Sequence, residues 1–151
     1  MMHELLGLKE SYILAHTKGL RSVMATVVCI EGSSYRRPGL RMLIFEDNTM
    51  SGAVSGGCVE KEILKQSQSV FLYSKAKMMI YDGRYRLGCE GILYILLEPF
   101  SPDATFFDVL DTVVKKRQTL QIKSFYTKTE EIHSGLGSEF YFQEKNVGFS
   151  N

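Results

Sequence analysis

The chain has no tryptophan, only three prolines and three cysteines, and no excess of either charge. Its 18 Lys and Arg residues nearly cancel 17 Asp and Glu, leaving a net charge of +1. Bulk charge therefore gives no reason to expect nucleic acid or an anionic membrane as partner, and electrostatic recognition must come from local clusters. No apolar run approaches the ~18 residues of a membrane-spanning helix, and the longest, ILYILL at 92–97, suits a buried strand. The opening MMHELLGLKESYILAH lacks the basic and long apolar segments of an export signal. Cys29, Cys58 and Cys89 are an odd number without CxxC spacing, so a disulfide framework and a structural zinc site have no support. Reduced thiols and a cytoplasmic location are the expectation.

What is present reads as one α/β domain of mixed α+β character, at 151 residues long enough for a real core. Residues 3–18 predict a helix with Leu5, Leu6, Leu8, Tyr12 and Ile13 on its apolar side and Gly19 past its end. Strands are expected at 22–30, 40–46, 49–54, 76–81 and 92–97, with a helix at 58–72 carrying Val59, Ile63, Val70 and Phe71. Together these give a five-stranded mixed sheet covered by helices, its strand order open. Cys29 reads as core filler. Glu98-Pro99 reads as the close of the last strand. Residues 1–100 form the main unit. Residues 101–151 add a helix, starting near Asp103 with Phe106, Val109, Leu110, Val113 and Val114 buried, and a hairpin from 119–126 and 139–143. That extension suits a lid or a dimer contact.

Three segments could carry chemistry. In SGGC, Gly56 and Gly57 let the backbone approach a ligand closely after Ser55. Cys58 then falls in the first turn of a helix, where N–H groups and the dipole favour an anion and a thiolate. Glu60, two residues on, suits a capping role or local proton acceptance. In LGCEG, Cys89 is bracketed by Gly88 and by Gly91 beyond Glu90. In GSSYRRPGLR, Ser33 and Ser34 offer hydroxyls, and Arg36, Arg37 and Arg41 offer guanidinium groups fit for phosphate or carboxylate. The plain alternative for each is a tight turn or a solvated charge cluster. His3, His16 and His133 are scattered and receive no catalytic role.

Taken together, GSSYRRPGLRML, SGGCVE and LGCEGILYILLEP resemble the XdhC/CoxI family of accessory proteins for molybdenum hydroxylases such as xanthine dehydrogenase. The resemblance covers about residues 5–100. It implies a non-catalytic chaperone that binds molybdenum cofactor (molybdopterin), holds it during sulfuration and delivers it to an apo molybdenum hydroxylase of the xanthine dehydrogenase type. A cysteine desulfurase and a second copy of the chain are further partners it suggests. By this resemblance Cys58 and Cys89 fall at the family's motif cysteines, as candidate molybdenum contacts, and Arg36, Arg37 and Arg41 in its arginine loop. Arg86 and Glu90 stand where the family often has glycine. No Rossmann-like domain of the kind that usually follows is expected within these residues, since Gly135-Leu136-Gly137 is only a fragment of a dinucleotide fingerprint, so the chain reads as either a short member of the family or the N-terminal portion of a longer protein. Two other readings stay open: a thiol-based sulfur or redox carrier using Cys58 and Cys89, and a docking module whose glycine loops are architectural.

Overall fold

The computed structural model describes residues 2–32, 37–52, 58–85 and 91–148. Its elements follow the hydrophobic pattern closely. They are α1 (Met2–Thr17), β1 (Ser22–Glu31), β2 (Arg41–Phe45), β3 (Met50–Ser51), α2 (Cys58–Tyr73), β4 (Lys77–Asp82), β5 (Ile92–Phe100), α3 (Ala104–Lys115), β6 (Gln121–Phe125), β7 (Gly137–Phe142) and β8 (Lys145–Asn146). A short 3-10 turn, Gly83–Tyr85, follows β4.

The main sheet has the order β3-β2-β1-β5-β4 and the small one β6-β7-β8. Every pairing in the five-stranded sheet is antiparallel, where the sequence reading left it mixed. The reason lies in α2. It leaves β3 at one border of the sheet and delivers the chain to β4 at the other, so the strands that share a direction across this crossover never become neighbours. Within 49–54 the structure holds only Met50–Ser51 as strand, and residues 53 and 54 lie outside the described residues.

The two faces of the sheet bury different sets of side chains, as the period-two alternation of a strand requires. Val23, Ala25, Val27, Met42, Ile44, Leu93, Ile95 and Leu97 form one core with Val59, Ile63, Val70 and Phe71 of α2. On the other face Met24, Leu43, Phe45 and Phe100 meet Leu5, Leu8, Tyr12 and Ala15 of α1, Phe106 and Leu110 of α3, and Phe140 of β7. The segment after Phe100 is thus built into the same core rather than appended to it. Phe106 and Phe140 meet edge to face at 5.1 Å.

Several local expectations change. Ile13, placed on the buried side of α1, is 46% exposed, and Ala15 fills that slot three residues after Tyr12. Val114 is likewise exposed beside buried Val113. A bulge between Val27 and Cys29 shifts the register of β1 against β5. It turns Cys29 from the α2 face to the opposite one, where it is half-buried against the cluster of Met78, Tyr94 and Leu96. Strand β5 runs through Pro99 to Phe100 instead of stopping at Glu98. The β4 pairing ends at Leu97, so on that side Pro99 forfeits no ladder hydrogen bond. The hairpin becomes three strands because Gln143 and Glu144 adopt positive φ, 51° and 65°, a two-residue turn that reverses the chain into β8. The tail then closes on the core: Val147 donates its N–H to the Phe140 carbonyl at 2.7 Å.

Candidate functional site

The topology brings the described ends of the motif segments to one end of the main sheet. There β1 exits at Glu31, β2 enters at Arg41, β3 exits at Ser51, α2 begins at Cys58, β4 exits at Asp82 and β5 enters at Ile92. The register fixes this, since Glu31 pairs with Ile92 and Ile92 with Asp82. The loop that starts at Gly32 and the loop that ends at Gly91 touch at their roots. A Cβ on Gly91 would lie 2.0 Å from the Glu31 carbonyl oxygen, and one on Gly32 would meet the Gly91 Cα at 3.4 Å. Gly32 also has φ of 86°, in the left-handed region that favours glycine. Gly83 N–H binds the Gly91 carbonyl at 2.9 Å, tying the exit of β4 to the same point.

The predicted site residues fall as follows. Ser33, Ser34, Arg36, Ser55, Gly56, Gly57, Gly88 and Cys89 lie outside the described residues. Cys58 is an exposed free thiol at the first residue of α2. Its neighbour Val59 is buried against the sheet and so fixes the helix start in place. Glu60 is half-buried in the first turn, and its Oε2 is buried without a hydrogen-bond partner among the described residues. Arg37 is exposed. Gly91 is buried at the strand entrance.

Arg41 is held apart from Cys58. It pairs with Thr26 and faces the small sheet, whereas α2 covers the opposite face. Arg41 is 4% exposed, donates to the Gly39 carbonyl at 2.8 Å and lies 5.9 Å from the centre of the Phe140 ring. With Thr26, Gly39 and Ser124 it lines a cavity of about 310 Å³. Among the described residues no cluster of His, Cys, Asp and Glu is arranged to hold a metal ion.

One charged residue escaped the sequence reading. Glu98, taken as a strand terminus, is 3% exposed on the small-sheet face of β5. It accepts the Ser138 N–H at 2.9 Å on Oε1 and the Ser138 hydroxyl at 2.8 Å on Oε2. Burial pushes its carboxyl up to about 7, against the opposing pull of the Ser138 hydrogen bonds and the Arg41 charge. A Glu inside an otherwise apolar strand, ILYILLEPF, was the available signal.

These features define an α/β domain that brings glycine-flanked loops and an exposed helix-first cysteine to one end of an antiparallel sheet. Residues 15–82 match the model of the XdhC and CoxI family. It is similar to a probable xanthine dehydrogenase subunit of Bacillus subtilis (strain 168), 32% identical over 85 residues that cover 51% of this chain and 26% of that one. Its fold is similar to the crystal structure of a protein described as a xanthine dehydrogenase of Bacillus halodurans, with a TM-score of 0.69, 27% identity, and coverage of 94% of this chain and 44% of that one. The chain thus spans about a quarter of the curated relative and under half of the crystallised one.

Proposed function

We propose that this chain is an accessory protein for a xanthine dehydrogenase-type molybdenum hydroxylase, and that it binds molybdenum cofactor as cargo and assists its maturation and insertion. The observation that carries this reading is the convergence of the described ends of the three motif segments at one sheet end, with the Cys58 thiol exposed at the start of α2. The match to the family model and the relatives' names support the accessory role.

The described residues fit such a cargo. A soft sulfur suits a molybdenum–sulfur centre, and Cys58 presents one to solvent. The cofactor's phosphate suits the exposed Arg37 guanidinium and the N–H groups at the first turn of α2. The Gly32–Gly91 contact keeps two loop roots side by side, so groups borne on either loop start from a common point. When bound, the cofactor brings the exchangeable sulfur or oxygen ligand that the receiving hydroxylase requires. The chain's own part is to hold it and exclude premature loss.

The test is retention. Wild-type protein mixed with released molybdenum cofactor and desalted should keep molybdenum and phosphate together. Cys58→Ser and Arg37→Ala should each keep several-fold less. Equal retention by wild type and Cys58→Ser defeats the reading. Addition of an apo-hydroxylase should then draw the retained cofactor off and restore hydroxylase activity.

A further inference from the structure

The cavity of about 310 Å³ beside Arg41 lies between the two sheets, on the face that α2 does not cover. β1 and the approach to β2 form one side of it, and the segment entering β6 forms the other. Val28, Leu120 and Ile122 line it and are each half-buried, so they keep apolar surface to offer a guest. Half-buried Ser124 adds a hydroxyl, whose contact with the Ser138 hydroxyl is long at 3.4 Å. Among the described residues lining the cavity, Arg41 is the one charged side chain.

A cation at 4% exposure is costly to keep there without an opposing charge. Its bond to the Gly39 carbonyl engages one of the five N–H donors that a guanidinium presents in a planar fork. The Arg41 Nε and the Thr26 hydroxyl oxygen are both sealed from the cavity, so contact with a guest falls to the Arg41 Nη groups. Glu98 feels the Arg41 charge, but it engages Ser138 with both oxygens and does not line this cavity. Burial pushes its carboxyl up to about 7, so near neutral pH it offsets the Arg41 charge only in part. Benzene fills an apolar cavity of about 150 Å³, so the space beside Arg41 exceeds what a bare inorganic ion needs.

We propose that this cavity binds a small organic carboxylate, its charged head on the Arg41 guanidinium and its short aliphatic body against Val28, Leu120 and Ile122. The guanidinium fork matches the two oxygens of a carboxylate. The apolar walls select against phosphate, whose remaining oxygens would lose their hydration without replacement. The site does not depend on cofactor binding, since α2 and its Cys58 belong to the opposite face of the sheet.

The experiment is a titration of the ¹⁵N-labelled chain with sodium butyrate, followed by amide spectra. Saturable shifts are expected at Val28, Gly39, Ile122 and Ser124, with the Cys58 signal unmoved. Butyramide, of the same shape without the charge, should bind about ten-fold or more weakly, the loss expected for hydrogen bonds to a charged group. Inorganic phosphate should also bind more weakly than butyrate. Arg41→Gln should abolish binding. Leu120→Trp, which keeps Arg41 and fills the space, should do the same, and its spectrum away from the cavity reports that it folds. The comparison of ligands on the wild-type chain decides the matter without either variant. Absence of saturable shifts, wild-type affinity in folded Leu120→Trp, or butyramide or phosphate binding as tightly as butyrate overturns the proposal.

Discussion

Glu98 of β5 receives both hydrogen bonds that Ser138 of β7 has to give, N–H to Oε1 and hydroxyl to Oε2, and this pair fastens the small sheet to the large one. Its carboxyl carries a proton more readily folded than unfolded, about 7 against 4.5, because burial outweighs the Ser138 bonds and the Arg41 charge. For an acid raised in the folded state, the stabilising contribution is complete below the unfolded value and disappears as pH climbs through the folded one. Native protein should therefore lose on the order of 3 kcal/mol relative to Glu98→Gln between pH 4.5 and about 7. Urea melts of both proteins across that window measure it. Parallel curves would remove Glu98 as a titrating group.

Replacement of Gly91 by Ala should destabilise the fold. The new Cβ meets backbone at 2.0 Å rather than a movable side chain, and overpacking of this kind costs about 1–3 kcal/mol. In α1, Gly7 has nothing within 4 Å of its Cβ position, so Gly7→Ala should instead stabilise by about 0.5–1 kcal/mol. Thermal melts of the two variants should move in opposite directions.

Phe140→Ala should cost about 3–5 kcal/mol, as expected for a fully buried ring. Because Phe140 packs with α1, α3 and the main sheet, the loss should appear in a single cooperative transition seen by every probe. A separate early melt of residues 101–148 would show that the extension is an independent unit.

Thiol labelling should distinguish the cysteines. In a Cys89→Ser background, Cys58 is exposed and Cys29 half-buried, so a small disulfide reagent should modify Cys58 first. Cys58→Ser should erase the fast phase. A fast phase that survives in that variant would place the accessible sulfur at Cys29.

The sequence made most of the fold legible because its strands are β-branched runs bounded by turn residues and α2 has an unambiguous apolar stripe. It misled where tertiary partners override local pattern. Ile13 looks buried from composition, but on α1 it stands exposed. The bulge at Val28 leaves no mark in the residue types, yet it decides which face Cys29 occupies. Strand order follows from α2 spanning the sheet, a long-range fact that periodicity does not encode. At the candidate site, Cys58 at the start of α2 was readable from its Gly-Gly prefix. The separation of Arg41 from Cys58 was not, because it depends on which side of β2 faces α2. Glu98 was hidden by its neighbour Pro99, which suggested an ending where the strand in fact continues.

A helix packed across β1, β5 and β4 behaves as a crossbar: none of these strands can peel away without carrying it. Cys58 sits at the tip of that crossbar, so the placement of its sulfur is owed to strands far from it in sequence.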